Sequence, residues 1–231
     1  SLLSACTYVS KNLKNNDTVI IESTVSPGTV EGPCKKILSL NKINFNLCFS
    51  PERINVGDKQ HTLSNLVKVI SSDTKTGLKI CDEIYNKICK KVYKAKNIKT
   101  AEMAKIFENI QRDVNIALTN QGSVIANKLG ISFTDVLETC STKWNSLNFY
   151  PGLVGGHCVS IDPYYLIDDC KKKNIDSSII SLCRSYNERF VNLVYNKIVK
   201  LVKKIKKPKI LFVGLSFKDG VVDFRNSKYI K

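Results

Sequence analysis

The chain has 231 residues, 43% of them hydrophobic and 24% charged, enough for one or two domains with ordinary cores. No apolar run approaches the roughly 18–20 residues of a membrane span, and the opening Ser1-Leu2-Leu3-Ser4-Ala5-Cys6 lacks the basic and apolar regions of a signal peptide. The net charge of +16 comes mostly from scattered lysines, with Arg53, Arg112, Arg184, Arg189 and Arg225 as the arginines, so specific base reading is disfavoured.

In chain order, Asp17–Ser23 is a short β-branched run suited to a buried parallel strand, and Thr24–Gly32 breaks it with Pro and Gly. A helix is expected over Thr29–Leu40, then strands over Phe45–Phe49 and Leu66–Ile70. Thr74–Lys90 places Leu78, Cys81, Ile84, Tyr85 and Ile88 on one helical stripe. Strands alternating with helices imply a parallel α/β sheet. Thr100–Leu129 predicts one long helix, with Thr100 as N-cap, Glu102 in the first turn and Gly130 just past the end. Further helices are expected at Ser132–Cys140, Pro163–Lys173 and Ser177–Lys207, the last broken near Arg184–Arg189. Pro208 ends it, and Lys209–Phe217 reads as another buried strand. The expected organisation is the tail of an α/β domain (1–97), a helical middle (98–207) and the head of a second α/β domain (208–231), two incomplete Rossmann-like domains joined by helices. The absence of an initiator Met and an opening that reads as a helix under way suggest a piece of a longer polypeptide.

Nine cysteines without a C-x-x-C pair, beside two histidines, give no zinc framework, and no metal site is expected. Free thiols in a reducing cytoplasm are the default reading, most of them small buried hydrophobes. Cys158 stands apart. It sits in Phe149-Tyr150-Pro151-Gly152-Leu153-Val154-Gly155-Gly156-His157-Cys158, where glycines let a loop bend and present a nucleophilic thiol. The competing reading is a tight turn with an incidental Cys. Asp162, before Pro163, is by itself a helix start. Lys105, Asn109 and Arg112 share one face of the long helix. Phe107, Ile110, Val114, Leu118 and Ile125 lie on another. Solvation explains such a polar face, yet a Lys and an Asn one turn apart can also donate to one oxyanion.

Five segments recur together: Glu22-Ser23-Thr24-Val25-Ser26-Pro27-Gly28-Thr29, Ser50-Pro51-Glu52-Arg53, Ala101-Glu102-Met103-Ala104-Lys105-Ile106-Phe107-Glu108-Asn109, Pro151 to Cys158, and Gly214-Leu215-Ser216-Phe217-Lys218 followed by Asp223-Phe224-Arg225-Asn226-Ser227. In this order and spacing the chain resembles the UDP-glucose/GDP-mannose dehydrogenase family over essentially its whole length. The resemblance implies Cys158 as the catalytic thiol, with Lys105 and Asn109 steadying oxyanions and Asp162 as the acid beside the thiol. It implies Thr24 near the nicotinamide of NAD and Glu52 as general base in thioester hydrolysis. Arg53, Phe149, Tyr150, Pro151, Gly152, Gly155 and Lys218 are implied on the UDP-sugar, and Arg225 on the cofactor. The implied reaction is two successive oxidations at C6, through a thiohemiacetal and a thioester, to a uronic acid.

Gly155-Gly156-His157-Cys158 with Ser-Pro-Glu-Arg resembles the branch acting on UDP-N-acetylhexosamines, of gluco or galacto configuration, in bacterial surface polysaccharide pathways. UDP-N-acetylmannosamine and UDP-glucose are alternatives, as is a non-catalytic piece that only dimerises. Ile54-Asn55-Val56-Gly57 lacks the second Glu of some members, and Asn120-Gln121 replaces a common Asn-Glu. No G-x-G-x-x-G occurs, so NAD is implied by the resemblance, and the 231 residues alone are expected not to turn over substrate. A homodimer through the long helix is also implied.

Overall fold

The computed structural model describes residues 1–54, 57–58, 60–217 and 220–230. They form two compact units, Ser1–Glu108 and Asn109–Lys231.

In the first unit, short β-branched runs become strands β1 (Thr18–Ile21), β2 (Asn46–Phe49), β3 (Val67–Ser72) and β4 (Lys91–Lys94), in the order β1-β2-β3-β4. β4 was not expected; its Lys-Val-Tyr-Lys is too polar to stand out as a buried run. β1 pairs with β2 and β3 with β4 in parallel. The all-parallel expectation is corrected at the centre, where β3 runs antiparallel to β2 through Cys48↔Ser72 and Phe49↔Ser71. Side chains make up for this short ladder. Ser50 Oγ donates to the Val69 carbonyl, Ser71 Oγ to Phe49 and Ser72 Oγ to Leu47, all at 2.9–3.0 Å. Alternation sends Leu47 and Phe49 to one face, with Cys6, Val30, Cys34, Leu38, Ile98 and Ala101, and Cys48 to the other, with Ile70, Cys81 and Tyr85. A sheet covered on both faces explains why β2 is buried throughout.

Helices α1 (Leu2–Ser10), α2 (Lys35–Leu38) and α3 (Lys75–Tyr85) surround this sheet. The helix expected over Thr29–Leu40 begins as a π turn, Val30–Cys34, in which Cys34 N–H reaches back five residues to the Thr29 carbonyl. Pro33, lacking an N–H, sits inside that turn. α3 starts on Thr74, whose hydroxyl accepts from Gly77 N–H at 2.9 Å, and stops at Tyr85.

Helix α4 (Ile98–Lys128) is followed in the second unit by α5 (Phe133–Ser141), α6 (Asp162–Lys172) and α7 (Ser178–Val202). α7 is continuous where a break was expected, because Arg184, Asn187 and Phe190 all turn inward along one stripe. Lys209–Phe217 is not a strand. A strand exists through ladder bonds to a neighbour, and the described residues of this unit contain no other strand. Leu211 and Val213 are correspondingly exposed. Among the described residues no helix is long and apolar enough to cross a membrane.

α4 starts two residues before the expected N-cap. Asn97, directly ahead of the helix, accepts from Thr100 N–H at 2.7 Å through its carboxamide oxygen, while Thr100 lies inside the first turn. Asn97→Ala is therefore expected to lower stability by about 1 kcal/mol and Thr100→Ala by less than about 0.5 kcal/mol, as read from urea unfolding. Equal losses would return the cap to Thr100.

Candidate active site

Because β1 and β2 are parallel, their carboxyl ends open on the same edge of the sheet, the edge where α/β folds bind ligands. Glu22 and the half-buried Thr24 follow β1; Glu52 and Arg53 follow β2. Between them stands Lys68 of β3, 3% exposed. Its ammonium donates to Glu22 Oε1 at 2.9 Å, lies 3.8 Å from Glu52 Oε2 and sits 4.9 Å above the Tyr85 ring. Tyr85 Oη also donates to Glu22 Oε1, at 2.7 Å. Burial works to raise the Glu22 pKa, but the bonds from Lys68 and Tyr85 outweigh it and hold it below the usual carboxylate range. The other oxygen of Glu52, Oε1, accepts from the N–H groups of Arg53 and Ile54 at 2.7 and 2.6 Å. Arg53 forks onto Glu108 at 2.7 Å and donates to the Val67 carbonyl at 3.0 Å.

The loop bearing Thr24 is fixed from below by Glu102, fully buried on α4. Its carboxylate accepts from the N–H groups of Gly28 and Val30, the second at 2.8 Å. Gly28 has φ +91°, which glycine adopts without steric cost. Burial pushes the Glu102 carboxyl up despite these bonds.

Glu22 gives a pH test. Its folded-state pKa is lowered, so its contribution to stability is complete above the ordinary carboxylate pKa and is lost as pH falls through the folded value. The stability difference between wild type and Glu22→Gln should be constant near neutrality and shrink on acidification through that window. A difference that does not change with pH would remove the pairing with Lys68 and Tyr85.

In the second unit, Cys158 is exposed on the loop ahead of α6. Its carbonyl accepts from Ile161 and Asp162 N–H at 3.0 and 2.8 Å, so the chain winds into the helix immediately after the thiol. Asp162 is the first helical residue, one position inside the expected cap, and its side chain faces inward. Asn109 Nδ2 donates to Asp162 Oδ2 at 2.6 Å, and both residues are buried. Solvation alone does not account for the face of Lys105, Asn109 and Arg112: Asn109 points into the protein, Lys105 is half-buried and Arg112 is exposed. Phe107, Leu118 and Ile125, on the other expected face, are exposed, while Ile110 is buried.

Tyr150 is exposed, and Phe149, Pro151, Gly152 and Gly155 are half-buried along the loop that reaches Cys158. Against this loop lie Phe217 and the segment Asn226–Lys228. Gly156 N–H donates to the Asn226 carbonyl at 3.3 Å, and Asn226 Nδ2 lies 3.3 Å from His157 Nδ1. A Cβ on Gly155 would stand 2.8 Å from the Asn226 carbonyl oxygen, and one on Gly156 2.8 Å from the Phe217 ring. Arg225 forks onto Asp223, which is held at about 2 by those bonds. Lys218 lies outside the described residues.

Gly156 carries both a ring contact and φ +84°. Gly156→Ala is expected to cost at least about 1 kcal/mol in unfolding free energy. It should also speed amide exchange at Gly156. Wild-type stability and exchange in that variant would show that the loop does not depend on the glycine.

Sequence reasoning passed over three parts of this picture. Lys68 was visible only as a lone Lys inside the apolar Leu66–Ile70 run. Asp113, buried on α4, lies one stripe position beyond Asn109 and was not singled out, whereas Asn120, also buried, was named only as a departure from the family pattern. Arg184 and Asn187 of α7 fell where a break was expected.

The first unit thus carries a carboxyl-edge glutamate cluster and the second a glycine-framed thiol, on an α/β and a helical unit of the kind found in nucleotide-sugar dehydrogenases. Residues 1–89 match the NAD binding domain and residues 99–189 the central domain of the UDP-glucose/GDP-mannose dehydrogenase family. The chain belongs to that family. It is 41% identical over 239 aligned residues to the UDP-N-acetyl-D-glucosamine 6-dehydrogenase of Pseudomonas aeruginosa, covering 99% of this chain and 57% of that protein. The enzyme of the same name from Salmonella typhi is also 41% identical, over 99% of this chain and 56% of its own length. Among solved structures, the UDP-D-ManNAc dehydrogenase of Pyrococcus horikoshii superposes with a TM-score of 0.87 at 30% identity, over 99% of this chain and 56% of that one. The chain thus spans just over half the length of these relatives.

The first unit, matched as an NAD binding domain, offers the carboxyl edge of β1 to that cofactor. The Thr24 loop leaves that edge and is fixed by two backbone bonds to Glu102.

Proposed function

We propose that the polypeptide carrying this chain oxidises the C6 hydroxyl of a UDP-N-acetylhexosamine to the uronic acid, with Cys158 as nucleophile. The observation that carries this reading is Cys158 itself: an exposed thiol on a glycine-framed loop, beside the buried Asn109–Asp162 pair. NAD⁺, when bound, supplies the hydride acceptor for both oxidations.

After the first oxidation the Cys158 sulfur adds to the C6 aldehyde carbon. A C–S bond forms and the thiol proton passes to the carbonyl oxygen. The resulting thiohemiacetal retains the aldehyde in the site until the second oxidation leaves a thioester. Asn109 and Lys105, one helical turn apart on α4, donate to the oxygen that carries negative charge at C6. Asn109 spends one N–H on Asp162, which fixes the carboxamide and aims the other.

Glu52 takes a proton from water as the water oxygen attacks the thioester. The C–S bond breaks, the uronate carboxylate leaves and the thiol is regenerated. Two backbone N–H groups hold Oε1 of Glu52, and Oε2, 3.8 Å from the Lys68 ammonium, is the oxygen assigned to the water. Thr24 lies at the nicotinamide side, and Arg225 is assigned to the cofactor. Arg53, Phe149, Tyr150, Pro151, Gly152, Gly155 and Lys218 are assigned to the sugar nucleotide. A gluco- or galacto-configured sugar is the favoured substrate, the gluco form supported by the similarity to two UDP-N-acetyl-D-glucosamine 6-dehydrogenases. The exposed stripe of Phe107, Leu118 and Ile125 on α4 supports a homodimer through that helix.

The test is turnover on a panel of UDP-sugars with the product resolved. Wild type should release two NADH per sugar with UDP-N-acetylglucosamine or UDP-N-acetylgalactosamine. Cys158→Ala should abolish uronate formation, and Lys105→Ala should slow it by about 10²–10³-fold. One NADH per sugar with free aldehyde accumulating, or near wild-type uronate from Cys158→Ala, would overturn the scheme.

A further inference from the structure

The loop that presents Cys158 is tied at both ends to a single chain of buried polar groups in the second unit. At its start, the Asn120 carboxamide oxygen accepts from Gly152 N–H at 2.8 Å while Nδ2 donates to the Gly152 carbonyl at 3.0 Å. The remaining N–H of Asn120 donates to Asn187 Oδ1 at 2.9 Å. Asn187 Nδ2 in turn donates to the Asp113 carbonyl and to Asp113 Oδ1, at 2.9 and 2.7 Å. Asp113 Oδ1 also accepts from Arg184 Nη1 at 2.6 Å, and the same Nη1 donates to the Val159 carbonyl at 3.3 Å. The chain leaves the loop at Gly152 and rejoins it at Val159, the residue after Cys158. Beyond Arg184 it continues through Glu188 to Lys228, whose ammonium lies 2.6 Å from Glu188 Oε2.

Asn120, Asp113, Arg184 and Asn187 are all at most 1% exposed. Their orientations are therefore dictated by hydrogen bonding alone. The Asn187 amide is fixed by two bonds to Asp113, so it presents its oxygen to Asn120. Asn120 must then present its NH₂ to Asn187 and to the Gly152 carbonyl, and its oxygen to Gly152 N–H. Flipping either amide would set acceptor against acceptor at Gly152 or at Asp113.

We propose that Asn120 is a positioning residue for Cys158: through Gly152 it sets the path of the loop that delivers the thiol, with Arg184 holding the far end at Val159. The proposal rests on the assignment of Cys158 as nucleophile. It predicts that the isosteric Asn120→Asp is more harmful than its size suggests. A carboxylate there faces the Gly152 carbonyl and Asn187 Oδ1, two acceptors, with no proton to offer either. Arg184→Ala is a poorer probe, since it strands the Asp113 carboxylate in the interior.

The experiment compares wild type, Asn120→Asp and Asn120→Ser in the polypeptide that carries this chain. Asn120→Ser retains one hydrogen bond to Gly152 and stands in if the Asp variant does not fold. Three readouts are taken: kcat and KM for NAD⁺, iodoacetamide alkylation of Cys158 against Cys140 resolved by peptide, and amide exchange over 152–160. The expected result is a kcat loss approaching 10²-fold for Asp and a smaller one for Ser, with KM for NAD⁺ within about twofold. Cys158 alkylation should change by about tenfold or more while that of Cys140, exposed on α5, does not. Loop exchange should quicken with α5 unaltered. Wild-type kcat, or Cys158 and Cys140 alkylation moving together, would overturn the positioning role. Failure of the underlying reading is separate: it appears as uronate made by Cys158→Ala, whatever the Asn120 variants do.

Discussion

The second unit depends on a carboxylate and a guanidinium that have left water together. Asp113 and Arg184 are each 1% exposed and bonded at 2.6 Å. Removing two such charges from solvent costs several kcal/mol per ion, and attraction between them offsets this only when further hydrogen bonds are made. Asn187 supplies one to the Asp113 carboxylate, at Oδ1, and a second to its backbone carbonyl, and the Val159 carbonyl accepts one from Arg184. Burial still pushes the Asp113 pKa up, against the pull of Arg184 and Asn187. The pair therefore contributes little net stability while making its loss expensive, about 3–5 kcal/mol when one partner is removed. Its value is geometric. It obliges α7 to run unbroken through Arg184 and fixes which way every amide in its neighbourhood points.

Thiol chemistry is separated by the same distribution of burial. Cys6, Cys34, Cys48, Cys81 and Cys89 are all buried in the first unit. Burial, with Cys6 beside it, drives the Cys34 thiol up to about 12, and burial raises Cys89 as well. Burial keeps the Cys34 and Cys89 thiols protonated and packed. Cys158 stands on an exposed loop with its own carbonyl capped by the first turn of α6. Burial thus withdraws five of the nine thiols, and of the two exposed ones, Cys140 and Cys158, Cys158 is the one framed by glycines.

Legibility followed the kind of interaction. β1, β2, β3 and the long helix were plain because local periodicity encodes them. The glycine-framed Cys158 loop was plain because its residue types are unusual together. The antiparallel turn of β3 was not, since strand direction is set by connections and cross-strand partners rather than by the strand's own residues. The Lys209–Phe217 segment has the composition of a strand, yet composition cannot provide the neighbour that makes one. For Asn109 the residues alone offered solvation beside an oxyanion role, because a polar residue on a helix usually faces water. Its burial against Asp162 joins positions 53 apart, which no local window reports. Arg184 was obscured for the same reason, with its partner Asp113 lying 71 residues earlier.

The serine-rich seam between β2 and β3 inverts an ordinary expectation about strands. Valine or isoleucine at Ser71 or Ser72 would suit extended backbone better than serine does. Each hydroxyl there, however, stands in for a ladder bond by donating to a β2 carbonyl. A change that raises intrinsic strand preference would leave that carbonyl without its donor and loosen the sheet. What drift at this seam must preserve is an O–H group rather than a side-chain volume, so threonine is tolerated where the better strand formers are not.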